Sequence, residues 1–359
     1  MKTLSRYIIR EVTLTSLYVL IALIGLFLFF DLINELGSLG KGNYTFGRML
    51  IYVVLLAPRH AYEFMPIAAL IGGMVAMSML NQHTEYTVMR VGGLSIRRVL
   101  GILATAGLLF ALATLLVGEY LAPSSERAAT QLRLQAKGQV VATDNRSGVW
   151  LKDDNSFVNV RQILPDQTLR HVNVYQFDAN RRLNYYGYAE HGYWQPASRN
   201  WLLSNITLTR FDANSVKLDH IPNYIWQHAV LTPDMLAVLM VAPEQMPIAG
   251  LLDYIENLRK NQQKTSRFDI ALWTKLTYPF ICIAMLIIAL PFAHANRRSG
   301  GIGIKLFVGI MLGLGFYFVN VLTARFGLLY DWPPAAVATL PSVSLLLFAL
   351  FLLWRQERR

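Results

Sequence analysis

Residues 183–211, LNYYGYAEHGYWQPASRNWLLSNITLTRF, are two runs rich in aromatic and β-branched side chains, parted by a turn at Pro196 to Asn200. Such runs read as neighbouring antiparallel strands. Working outward, the same character recurs in GVWLK (148–152), FVNVR (157–161), LRHVNVYQF (169–177) and NYIWQH (223–228). Turn-forming triplets separate them at Asp153-Asp154-Asn155, Asp178-Ala179-Asn180 and Asp212-Ala213-Asn214, where short polar side chains bond their own backbone. The expected unit is an all-β domain, an antiparallel sandwich or open jelly roll of roughly seven to ten strands. After the strands, Pro243 to Arg259 predicts a short amphipathic helix with Leu251, Leu252, Ile255 and Leu258 on one face,.

This polar block is an island. The chain is 54% hydrophobic and 15% charged, with mean hydropathy +0.36, more apolar surface than a soluble fold covers. Six apolar runs flank the block, three on each side: Val12 to Phe30, Tyr62 to Leu80, Val99 to Leu121, Leu272 to Ala293, Ile302 to Leu322 and Ala335 to Leu353. Each approaches the roughly 20 residues a helix needs to cross about 30 Å of hydrocarbon. The first is too long for a signal-peptide core and lacks an A-x-A-like cleavage site, so it is expected to stay. The predicted fold is therefore an α-helical integral membrane protein with six transmembrane helices (3+3) and an inserted β domain. Residues 1–123 hold helices one to three with a short loop at 81–98, residues 124–265 the β domain and its return helix, and residues 266–359 helices four to six.

Lys and Arg near the helix ends set the expected orientation. One set of ends carries Lys2, Arg6, Arg10, Arg90, Arg97, Arg98, Arg297, Arg298, Lys305, Arg355, Arg358 and Arg359; the other carries Lys41, Arg48, Arg59 and Arg325. Both termini are expected in the cytoplasm and the β domain outside it. The formal charge of +11 is thus first a topology signal, and the scatter of basic residues over helix ends argues against nucleic-acid binding. The lone Cys282 falls in an apolar run, which leaves no disulfide framework and no thiolate metal site. No phosphate loop, H-E-x-x-H, G-x-S-x-G or strand-following G-x-G-x-x-G occurs,. No catalytic residue, metal or cofactor is expected, and any power for transport must come from another protein.

Three groups of residues remain as site candidates. Arg59 and Glu63 sit between Pro58 and Pro66; they read either as an i,i+4 ion pair or as an anion-binding cation beside its neighbour. With Lys41, Arg48, Arg133 and Lys137, Arg59 is a candidate rim of cations, though snorkelling interface anchors explain such residues equally. The loop at 81–98 begins like a helix ending at Gly92-Gly93, and presents Glu85, a surface acid or a contact for a motor. Phe27, Phe30, Phe64 and Phe316 are candidates for an apolar wall or for ordinary core.

The segments FMPIAALIGGM (64–74), E-x-x-V-M-R-x-x-G (85–93), GEYLAP (118–123) and LLYDWPPAAVATLPS (328–342) together resemble the LptF/LptG permease family of the lipopolysaccharide export ABC transporter. GEYLAP and WPP-x5-LPS put the likeness with one of the family's two paralogous branches more than with the other. The resemblance covers essentially the whole chain and implies half of a heterodimeric permease in a Gram-negative inner membrane. Its implied partners are an LptF-like paralogous permease, an LptB-like ATPase dimer, an LptC-like single-span protein beside the first helix, and lipopolysaccharide. It also implies that the β domain is periplasmic and jelly-roll-like, and that Glu85, with Tyr86, Met89 and Arg90, couples to the ATPase. A member of the family carries a pair of lysines just after the first helix, whereas Gly37 and Ser38 stand at that spacing here and the nearest cation is Lys41. A permease for another lipid or lipoprotein, or a membrane-anchored receptor, are the alternatives, but the receptor needs an output module that the short loops do not hold.

Overall fold

A computed structural model describes residues 2–137, 148–153, 155–164, 168–178, 182–198, 200–211, 215–226, 243–260, 262–294 and 302–357. Arg297, Arg298, Arg358, Arg359 and the turn residues 154, 179, 180 and 212–214 lie outside them, as does the end of the NYIWQH run. The helices are α1 (Lys2–Leu36), α2 (Phe46–Leu55), α3 (Ala57–Gln82), α4 (Glu85–Val91), α5 (Ile96–Leu116) and α6 (Ala122–Lys137) before the strands. After the strands come α7 (Ile248–Lys260), α8 (Ser266–His294), α9 (Ile302–Leu329) and α10 (Pro334–Glu357). Six stretches are long and apolar enough to cross a membrane: Thr3–Leu36, Phe46–Gln82, Ile96–Lys137, Ser266–Pro291, Leu306–Leu329 and Pro334–Arg355.

The bundle is organised on α3 and α8. Helix α3 is deeply buried, from Met65 through Leu80, and packs on α1, α8 and α9. Its Gly72 lies so close to Ser16 of α1 that a side chain there would overlap the α1 backbone, which lets the two helices approach. Helices α1 and α9 are the opposite case: Tyr18, Ile21 and Phe29 on one, and Phe307, Leu314 and Phe318 on the other, are exposed. At about 1.5 Å per residue, the 35 residues of α1 outreach the hydrocarbon at both ends. The third span does likewise. Residues 124–137, grouped by the sequence with the polar block, continue the helix to Lys137, and the first strand among the described residues begins at Val149.

The β domain lies between the third and fourth spans. Strands β1 (Val149–Asp153), β2 (Ser156–Ile163), β3 (Leu169–Phe177), β4 (Leu183–Gln195), β5 (Asn200–Phe211) and β6 (Val216–Trp226) form one antiparallel sheet in sequence order. Six strands are fewer than the seven to ten expected from the sequence, the described residues being the measure. What makes the sheet jelly-roll-like is a crease. Inward side chains alternate as Val158, Val160 in β2, Val174, Val172 in β3 and Leu208, Ile206 in β5, then step by three to Ile163, Leu169 and Leu203. Glycines and core residues of β4 and β6 make the same step, from Ala189 to Gly192 and from Ile221 to Tyr224. The steps fall in one cross-strand row, in which His171 and Asn205 have φ of 53° and 56°. Two consecutive outward residues in each strand bend the sheet like a coordinated bulge, so both halves bury their side chains in one core. Trp194, Trp201 and Trp226, paired across three strands, fill one end of it.

Candidate functional site

The expected cations collect at the β-domain end of the bundle, where the structure gives most of them acidic partners. The C-terminal turn of α1 carries Glu35, whose carboxylate accepts Lys137 Nζ at 2.6 Å and Arg133 Nε and Nη2 at 3.0 and 3.1 Å. Lys137 also donates to Ser38 Oγ at 2.8 Å and lies over the ring of Tyr44. The loop after α1 is thereby fastened to α6, and Asn43 N–H donates to the Ala136 carbonyl at 2.7 Å. Burial pushes the Tyr44 phenol up to about 12, the phenolate being the form that desolvation penalises.

Arg59 bonds two acids, Glu63 at 2.9 Å and Glu126 of α6 at 3.0 Å. The ion-pair reading of Arg59 and Glu63 is therefore the observed one, with a third member 67 residues along the chain. His60 Nε2 sits 2.5 Å from Asp31 Oδ2 of α1. Counting Arg59, Arg133 and Lys137 against Glu35, Glu63 and Glu126 gives three charges of each sign, so these cations make no net positive rim. Lys41 is exposed, and Arg48 donates to the Asn43 carbonyl at 2.6 Å, a contact that leaves its charge uncompensated.

Of the four candidate wall residues, three meet. The ring centroids of Phe27 and Phe64 are 4.1 Å apart and those of Phe27 and Phe30 6.3 Å, with Phe30 exposed on α1. Phe316 of α9 packs elsewhere, with Leu70, Met74 and Tyr278. Phe27, Phe30 and Phe64 form an apolar strip directly below the Asp31–His60 contact.

At the opposite end of the bundle lies α4. Tyr86 is buried and Met89 half-buried against the core that holds Ile8, Val12 and Leu80, and burial pushes the Tyr86 phenol up. Glu85 accepts the hydroxyl of Tyr7 of α1 at 2.9 Å, and Arg90 is exposed. Sequence reasoning passed over Val88 and Val91, which are 68% and 86% exposed. The V-M-R-V spacing puts the two valines one turn from each other, so that α4 exposes both on one face. Gly93, at φ 94°, closes the helix,.

Among the described residues no three His, Cys, Asp or Glu side chains are placed to hold a metal ion. Cys282 is buried and near the Thr114 hydroxyl, at 3.4 Å. Six spans, a β domain inserted between the third and the fourth, and a short helix at the opposite end define the class: a polytopic membrane protein with an extramembrane β domain. The model of the family "Lipopolysaccharide export system permease LptF/LptG" matches residues 6–355, and the chain belongs to that family. It is 31% identical over 358 residues to the lipopolysaccharide export system permease protein LptG of Escherichia coli (strain K12), covering 99% of this chain and 98% of that protein. To the LptG of Haemophilus influenzae it is 29% identical over 358 residues, with 99% of both chains covered.

Proposed function

We propose that this chain is the LptG-type half of a heterodimeric permease that takes lipopolysaccharide from the outer leaflet of the inner membrane and passes it to a periplasmic bridge. The observation that carries the reading is the agreement, from end to end, between the family's extent and a six-span body with a β domain inserted after the third span. The positive-rich helix ends support cytoplasmic termini and a periplasmic β domain. The partners are an LptF-like permease, an LptC-like single-span protein and an LptB-like ATPase dimer, which supplies the hydrolysis.

In this reading the uncovered faces of α1 and α9 are the lateral walls against which the second permease closes. Removing a multi-chain lipid from a bilayer costs about 0.8 kcal/mol for each acyl CH₂ exposed to water. A replacement apolar surface is needed, and Phe27, Phe30 and Phe64 provide part of it. Lys41 and Arg48, whose charges no described acid cancels, are the phosphate contacts of this subunit; Arg59, Arg133 and Lys137 brace the rim. At the other end, Glu85 and Arg90 flank the Val88–Val91 surface on which the ATPase seats, with Tyr86 and Met89 transmitting its movement into the core.

The test is purification of the chain with its co-expressed partners, followed by mass spectrometry of bound lipid. Lipopolysaccharide together with an ATPase subunit is the expected result. Another lipid or a lipoprotein in its place would reassign the substrate, and a lipid-free chain without an ATPase would favour a receptor.

A further inference from the structure

The GEYLAP segment holds a contact that the transport reading does not use. Between α5 and α6, Val117–Leu121 form a π turn, and the extra residue in that turn rotates α6 relative to α5. Gly118 backs onto the ring of Tyr62 so closely that any side chain would overlap it. Glu119 is thereby turned towards the chain returning from the β domain. Both of its carboxylate oxygens accept the backbone N–H of Ile248, at 2.9 and 3.0 Å. Ile248 opens α7, so the carboxylate sits at the positive end of a 13-residue helix,.

Lys275 of α8 closes the contact from the other side. It is buried, donates to the Met246 carbonyl at 2.5 Å and lies 3.5 Å from Glu119 Oε2. Met246 is itself buried against Leu251 and Ala271. Three stretches distant in sequence therefore share one charge-assisted clasp: the end of the third span, the fourth span, and the first residues after the β domain. A buried ion pair seldom stabilises more than apolar packing of the same volume. Directional bonds to a helix terminus do something packing does not: they fix the orientation of α7 relative to both spans that lead to and from the β domain.

We propose that Glu119 and Lys275 are positioning residues that lock α7 to the third and fourth spans, so that rearrangement of the helices is delivered to the β domain as lipid is handed on. The proposal rests on the permease reading with an external ATPase. It is tested in the complete transporter reconstituted in lipid vesicles, comparing the parent with Glu119→Ala, Glu119→Gln and Lys275→Met. Three quantities are read: lipopolysaccharide-stimulated ATP hydrolysis, lipopolysaccharide delivered to a purified bridge protein, and the distance distribution between spin labels at Leu115→Cys on α5 and Leu252→Cys on α7.

Glu119→Ala and Lys275→Met should keep hydrolysis within about twofold while delivery falls about tenfold or more, as misplacement away from the chemistry does. Their label distances should broaden. Glu119→Gln keeps a carbonyl oxygen for Ile248 and should recover a narrow distribution and much of the delivery. Parental delivery in Glu119→Ala, an unbroadened distance, or hydrolysis and delivery falling in proportion would overturn the proposal. A parent complex without lipid-stimulated hydrolysis would contradict the permease reading instead, and the label distances, which need no ATPase, would still decide the clasp.

Discussion

Single residues at the β-domain end divide into braces and free charges, and the division is what pairing distances add to a list of cations. Glu35 is shared by Lys137 and Arg133, and the Lys137 and Glu35 side chains are 5% and 7% exposed. Glu35→Ala therefore strands a buried ammonium and should cost roughly 3–5 kcal/mol, read as a lower thermal midpoint of the purified protein. Lys41→Glu, at an exposed site, should stay within about 0.5 kcal/mol yet reduce lipopolysaccharide-stimulated hydrolysis in the complex. Parental stimulation in Lys41→Glu would remove that residue from the phosphate contacts. Tyr44 gives a pH prediction with a definite sign. Its phenol is raised from 10.0 to about 12 by burial, so the unfolded chain ionises first and the stability held at this site is lost as pH climbs from 10 through 12. Tyr44→Phe should remove one phenol from the late-titrating class in an absorbance titration. The sequence exposed Arg59 with Glu63 because four residues make one helical turn. It hid Glu126 and the Glu35–Lys137 pair because sequence separations of 67 and 102 residues leave no periodic trace.

Elements were legible where their period was simple. Alternation located the strands, and apolar length located the spans, because those patterns are what burial in a sheet or a bilayer imposes. The crease was not legible: a step of three inside a period of two looks like noise in one strand and acquires meaning only when β2 to β6 are aligned in register. Asn205 in that row has φ 56° and bonds Glu190 at 3.1 Å. Asn205→Val should destabilise the β domain by about 1–2 kcal/mol, since a branched side chain resists the left-handed region, whereas Asn205→Gly should be tolerated; denaturation followed by tryptophan fluorescence reads both. Helix α6 was missed for a related reason, its polar composition resembling the loop of a soluble domain although Ala129 and Ala136 are buried. At α4 the exposed valines make a separable prediction. Val88→Asp with Val91→Asp should abolish co-purification of the ATPase and leave the thermal midpoint unchanged, because neither side chain is buried. Loss of stability in that variant would mean that α4 is part of the core and not a contact surface.

As a whole molecule the chain is a bundle with one enclosed helix and apolar side chains exposed around it, on α5 and α10 (Leu108, Leu112, Leu347, Phe351) as well as on α1 and α9. Helix α3 is enclosed by its neighbours, while α1 and α9 present aromatic and aliphatic side chains outward. Composition required such surface to exist, and only the packing shows which helices carry it. Helix α1 joins the two ends of the machine, with Tyr7 at Glu85 of α4 and Glu35 at Lys137 of α6. One unbroken helix of 35 residues thus carries a polar contact at each end. In the function proposed for it, transport by this chain turns on the exposed face of α1 serving as a wall for exported lipid. A photo-activated cross-linking side chain placed in living cells at Phe30, on the exposed face, and at Met74, in the closed core, probes that wall at the lipid itself. The expected result is a lipopolysaccharide adduct from Phe30 that disappears when ATP is depleted before labelling or the partner permease is absent, and none from Met74. Adducts only with bulk phospholipid at Phe30, unchanged by removal of the partner, would contradict it.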